Sequence, residues 1–123
     1  MLITKNFSFD ELKCPCCDEM MIEDVFIAAL QDIRDNVGRP MSINSAYRCH
    51  KHNLEVGGAT TSRHRLGMAV DISTKGWAAD DLHYLFFEMT SFSSADYNTG
   101  IGIYRKHIHF DLRIDNESLW VNL

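Results

Sequence analysis

Residues 107–114 read His107-Ile108-His109-Phe110-Asp111-Leu112-Arg113-Ile114. Apolar and polar side chains alternate without a break. A β-strand sends successive side chains to opposite faces, so the pattern predicts a strand with Ile108, Phe110, Leu112 and Ile114 on a core face. The other face carries His107, His109, Asp111 and Arg113, in steps of about 7 Å. A solvated outer face is the default reading of such a polar set. Two imidazoles on one face shift the balance, because imidazole is the commonest metal ligand and a neighbouring carboxylate can orient it.

Working outward, Met68 to Ser73 alternates in the same way, with Met68, Val70 and Ile72 opposite Ala69, Asp71 and Ser73. Met41 to Arg48 also alternates: Met41, Ile43 and Tyr47 take one face, and Ser42, Asn44, Ala46 and Arg48 the other. Ile101 to Tyr104 pairs naturally with the first strand through a turn at Arg105-Lys106, and Leu119 to Leu123 reads as an edge strand or a packed tail. Helices are expected in three places. Ser8-Phe9-Asp10-Glu11 fits the capping box S-x-x-E. Glu23 to Asn36 spaces Phe26, Leu30 and Ile33 helically and meets its stop at Gly38. Asp80 to Met89 turns Leu82, Leu85, Phe86 and Met89 inward. Residues 49–66 and 91–99 read as loops. The sum is an α+β fold: one small domain over residues 1–123, a mostly antiparallel sheet and flanking helices.

Composition narrows the function classes. A length of 123 residues suits one core and is short for two. Twelve Lys and Arg against seventeen Asp and Glu leave a net charge of −5, which disfavours nucleic-acid binding and a polybasic membrane anchor. No run of about 18 apolar residues is present, so membrane insertion is not expected. The first residues lack the apolar region of a secretory signal. Synthesis in a cytoplasm is therefore expected, with a monomer as the default state.

Residues 62–71 read Ser62-Arg63-His64-Arg65-Leu66-Gly67-Met68-Ala69-Val70-Asp71. His64, Asp71 and His109 would supply two imidazoles and one carboxylate, and three protein ligands with one open position is the layout of a catalytic zinc. The small residues Gly67 and Ala69 between the first two allow close backbone approach.

The segment fits S-x-H-x-x-G-x-A-x-D, and His107-Ile108-His109 fits a later H-x-H. Together they resemble the zinc D-alanyl-D-alanine carboxypeptidases and the related phage endolysins, within a wider group that includes lysostaphin-type peptidases and the hedgehog signalling domain. Ser45-Ala46-Tyr47-Arg48-Cys49, Asn53, Val56-Gly57-Gly58-Ala59, Phe7-Ser8 and Cys14 to Cys17 match the small single-domain members, so the resemblance runs over residues 7–113. It implies a small α+β domain whose sheet holds zinc on its polar face. It implies His64, Asp71 and His109 as ligands, His107 as the active-site histidine that is not a ligand, and Arg48 as the cation facing the substrate carbonyl or carboxylate. Asp111 is a weaker candidate for proton transfer and a better one for orienting His109. The D-Ala-D-Ala dipeptidases and some endolysins of this group place a Glu three residues before the last His ligand, where this chain has Lys106. That leaves the general base open between His107 and Asp111.

The implied activity is a metallopeptidase acting on peptidoglycan stem peptides, as carboxypeptidase or endopeptidase. The implied setting is cell-wall degradation by a phage or prophage endolysin that reaches the wall after release. Two other readings are weighed. One is a non-catalytic zinc-binding domain of the same fold. The other is a His-Asn-His type nuclease built on His50, His52 and Asn53, which the acidic charge disfavours.

Cys14, Cys16, Cys17 and Cys49 admit reduced thiols, one disulfide (Cys14 or Cys17 with Cys49) or a second, structural zinc. C-x-C-C is not a common zinc spacing, and reduced thiols are the favoured expectation. His50 and His52 are expected on an exposed loop, His83 in a structural role, and Trp77 and Trp120 in the core.

Overall fold

The computed structural model describes residues 1–58, 62–92 and 96–123. Ser8 opens the first helix, α1 (Phe9–Leu12), through the expected capping box: its Oγ accepts the Glu11 N–H at 3.3 Å, and the Glu11 carboxylate accepts the Ser8 N–H at 3.1 Å. Helix α2 (Asp24–Val37) buries Phe26, Leu30 and Ile33 on one stripe and stops at Gly38, whose φ of 73° only glycine adopts at little cost. Then follow β1 (Ile43–Ser45), α3 (His50–Glu55), β2 (Ala69–Ser73), α4 (Ala79–Thr90), β3 (Asn98–Tyr104), β4 (His107–Arg113) and β5 (Ser118–Asn122). Among the described residues no helix is long and apolar enough to cross a membrane.

The five strands form one sheet in the order β1-β2-β4-β3-β5. Every neighbouring pair is antiparallel except β3 and β5, which run parallel. Hairpin β3–β4 turns at Arg105-Lys106, as the sequence predicts. The sheet has two unlike faces. Val70, Ile72, Ile101, Ile108, Phe110 and Leu112 are buried in the core with Phe26, Leu30, Leu85 and Met89 of α2 and α4. Phe110 sits at its centre, stacked on Phe26 at 5.7 Å and edge-on to Phe92 at 6.4 Å. Asp71, His109 and Asp111 belong to the opposite face.

The alternation of β2 and β4 therefore reads through to the structure, and that of residues 41–48 does not. Only Ile43–Ser45 forms a strand, and its pairing shifts between Ile43 and Ser45. Such an irregularity ends strict alternation, so Ala46 and Tyr47 are both buried although they were expected on opposite faces. Arg48 consequently leaves from the turn before α3 and not from a strand face. The expected loop over residues 49–66 contains α3, which carries His50 and His52. Of the expected loop over 91–99, Asn98 and Thr99 belong to β3, and part lies outside the described residues, as does Ala59. Ile114 lies past the end of β4 and is 85% exposed, so it does not join the core face.

The segment between His64 and β2 turns through Gly67, at φ 71°. The Gly67 carbonyl accepts the Glu23 N–H at 3.0 Å, so the turn is pressed against the chain leading into α2. A Cβ at Gly67 would stand 2.0 Å from the Met21 carbonyl oxygen, which is backbone and cannot rotate away. Gly67→Ala is expected to lower unfolding free energy by roughly 2 kcal/mol or more, from left-handed strain plus that clash, as read by urea denaturation.

Candidate metal centre

Register places the site. On the polar face Asp71 of β2 stands opposite His109 of β4, His109 opposite Gly102 of β3, and Gly102 opposite Trp120 of β5. Strands are about 4.8 Å apart, so this row brings residues distant in sequence side by side. The next row holds Ala69, Asp111, Gly100 and Ser118. Both β3 positions need glycine for space. A Cβ on Gly102 would be 2.4 Å from the Trp120 indole, and one on Gly100 would be 2.3 Å from the Arg113 guanidinium and 2.5 Å from the Asp111 carboxylate.

His64 joins the row from the loop. The Ser62 hydroxyl accepts its backbone N–H at 3.3 Å, and its Nδ1 meets the Ala46 carbonyl at 2.7 Å. A carbonyl only accepts, so Nδ1 must carry hydrogen, which leaves Nε2 with a lone pair when the ring is neutral. Nε2 points at Asp71 Oδ1, 3.2 Å away. His109 is held the opposite way round. Its Nε2 donates to Asp111 Oδ2 at 2.6 Å, which leaves Nδ1 aimed at the same Asp71 Oδ1 at 2.9 Å. Asp111 is fully buried and receives two N–H groups of Arg113, both at 2.8 Å. Both its oxygens are thereby engaged.

The ligand atoms of His64, Asp71 and His109 all lie within 4.8 Å of one another. With neutral rings they are three electron-pair donors facing one point, an arrangement that repels itself unless a cation sits among them. Two neutral imidazoles and a carboxylate are a ligand set that zinc accepts, and the hydrogen bonds behind each imidazole fix the tautomer that zinc needs. The residues therefore fit the metal that the resemblance implies.

The electrostatics say the same. Burial pushes the Asp71 carboxyl up, but the His109 and His64 rings that contact it override this and hold it well below the ordinary carboxylate range. Burial also lowers His109, and its bonds to Asp111 and Asp71 overcome that and raise it above 6.5. Asp111, pushed up by burial, is brought down to about 2 by Arg113 and His109.

The other predicted residues are accounted for. Arg48 donates from Nε to Ser45 Oγ at 3.2 Å, from one terminal nitrogen to Asn53 Oδ1 at 3.3 Å and from the other to Asp71 Oδ2 at 3.5 Å. His107 borders the same cavity and stacks on Tyr104 at 4.3 Å with 10° between the rings. The cavity measures about 480 Å³ and is also lined by Trp120, Arg113 and Arg63. Trp120 corrects the expectation of a core residue. Its ring lies 5.3 Å from His109, and its Nε1 donates to the Tyr104 hydroxyl at 2.9 Å. Trp77 does pack against the core, under the Arg39 guanidinium. His50, His52 and His83 lie outside the cavity lining.

Two results test the centre. His64→Ala is expected to abolish zinc binding there, measured by calorimetry, while Asp111→Asn weakens it by about 10- to 100-fold, since His109 loses its orienting partner. Zinc binding displaces a proton from His109, whose pKa is raised, so protons compete from above pH 6.5 downward. Affinity should fall as the pH drops, by up to about tenfold per pH unit once His109 holds its proton, followed with a competing chelator.

A comparison with curated protein sequences finds no match. A family model described as Peptidase M15 matches residues 5–111, a span that contains all three candidate ligands, Arg48 and His107. By that match the chain belongs to the peptidase M15 family, the zinc D-alanyl-D-alanine carboxypeptidase-like peptidases that its motifs resemble.

Proposed function

We propose that the chain hydrolyses amide bonds in peptidoglycan stem peptides, as a D-Ala-D-Ala carboxypeptidase or an endopeptidase of the endolysin kind, and so acts at the cell wall. The observation that carries this reading is the convergence of His64 Nε2, His109 Nδ1 and Asp71 Oδ1 on the floor of an open cavity beside Arg48. Zinc held there would supply a water acidified to a pKa of about 7 and a Lewis acid for the scissile carbonyl.

The protein's own groups do the rest. Arg48 gives three N–H groups to Ser45, Asn53 and Asp71, which fixes its plane against the cavity. A guanidinium has five, so among the described residues two are left to take a substrate carbonyl or terminal carboxylate. Stem peptides offer both, and a pre-oriented cation at a developing oxyanion needs no reorganisation during reaction. Proton transfer falls to His107. The carboxylates that line the cavity are Asp71 and Asp111. The first is a ligand candidate and the second has both oxygens engaged, so Asp111 positions His109 and moves no proton. His107 has no hydrogen-bond partner for its ring nitrogens among the described residues, and stacking on Tyr104 sets its plane. One of those nitrogens can accept a proton from the attacking water and return it to the leaving amine. Tyr104 and Trp120, tied by their hydrogen bond, give the peptide an aromatic wall.

Lys106 occupies the position where relatives carry a carboxylate, and it favours a second reading: a zinc-binding domain of this fold without hydrolytic activity. Mass spectrometry of muropeptides digested by the zinc-loaded chain separates the two. New amino and carboxyl termini are expected, and their identity names the bond. Intact muropeptides with zinc bound would support the non-catalytic reading instead. His107→Ala should keep its zinc and lose about 10²-fold or more in rate; an unchanged rate would remove His107 from the mechanism.

A further inference from the structure

Around Cys49, the residue after Arg48, the structure gathers all four cysteines of the chain. Their sulfurs all lie within 4.8 Å of one another, with Cys14 and Cys16 at 3.6 Å and Cys16 and Cys49 at 3.2 Å. We propose that Cys14, Cys16, Cys17 and Cys49 bind a second zinc ion in a closed, structural site.

Three observations support this over the favoured expectation of plain thiols. The first is spacing in space. Four sulfurs at about 2.3 Å from one tetrahedral ion stand about 3.8 Å apart, which is the scale found here. A disulfide needs about 2.05 Å, and all four cysteines are free. The second is exposure. Cys14 is buried, but Cys16 and Cys17 are exposed and Cys49 half-buried, so core packing does not explain why the four meet. The third is the backbone around them. The Cys49 N–H donates to Cys14 Sγ and the His52 N–H to Cys49 Sγ, each at 3.4 Å, so backbone donors hold two of the sulfurs in place. Residues 14–19 close a tight loop, with Cys14 N–H on the Glu19 carbonyl at 2.7 Å and the Asp18 N–H on the Cys14 carbonyl at 3.0 Å.

The linear pattern concealed this. Within C-x-C-C the outer pair, Cys14 and Cys17, is itself a C-x₂-C unit, with Cys16 as an inserted third donor. The fourth arrives from Cys49, the cap of α3. A metal here would tie the N-terminal segment to the residue that follows Arg48.

The whole chain, expressed with ample zinc and assayed by elemental mass spectrometry, is expected to carry two zinc ions. His64→Ala and Cys49→Ser should each carry one. Cobalt(II) in place of zinc supplies the distinguishing signal, because sulfur-to-cobalt charge transfer absorbs in the near ultraviolet and the His64 centre has no sulfur. That band should be present in the unaltered chain and in His64→Ala, and absent in Cys49→Ser. If Cys49→Ser does not fold, the band in His64→Ala decides alone. One zinc per unaltered chain with no such band, or an intramolecular disulfide found by mass spectrometry, would overturn the proposal. Because His64→Ala removes the other centre, this outcome is separate from whether the chain cleaves peptidoglycan.

Discussion

His64 Nε2 and His109 Nδ1 approach one oxygen of Asp71 at 3.2 and 2.9 Å, and the second nitrogen of each ring is already committed as a donor. Three lone pairs thus share one small volume at the floor of the cavity. Bare, that costs free energy, because partly buried acceptors that face each other have neither solvent nor partner. A cation removes the cost. Much of the surrounding structure serves to hold these acceptors in place: Ala46 and Ser62 behind His64, Asp111 and Arg113 behind His109, and Arg48 on the free oxygen of Asp71.

The sheet converts that local demand into a fold. Because β2 and β4 are antiparallel neighbours with Asp71 opposite His109, their apolar faces are forced together at the same time as their ligands. Burying Phe110 beneath α2 and setting His109 beside Asp71 are one event, not two. A slip of one residue in this register would turn ligands inward and core residues out, so hydrophobic burial guards the geometry of the site. The glycines of β3 complete the arrangement by leaving room above the strand for the Asp111–Arg113 pair and the Trp120 ring.

What the sequence revealed follows from the range of the forces involved. Strand β4 was legible because period-two alternation is local and unbroken over residues 107–113. The capping box at Ser8 and the stop at Gly38 were legible for the same reason. Residues 43–45 were not, because the irregular pairing there depends on the partner strand. Helix α3 is short, polar and capped by a cysteine, so it has no apolar period to read. The ligands and Arg48 came from resemblance as much as from alternation. Trp120 was misplaced because its surroundings depend on β5 running parallel to β3, a pairing that no nearby residue announces. The cysteines stayed open between thiols, a disulfide and a structural zinc for a similar reason: the fourth is more than thirty residues from the third.

The family match ends at residue 111, while Arg113, Trp120 and all of β5 come after it. The cavity is thus assembled from two kinds of chain. Its floor, with the three candidate ligands and Arg48, falls inside the matched segment, and one of its walls is hung on an edge strand beyond it. An edge strand is held by one neighbour only, and of β5 it is Trp120 that reaches back to the His109 ring. Such a division separates the candidate metal centre from one wall of its cavity, and it makes β5 the natural place to reshape that wall.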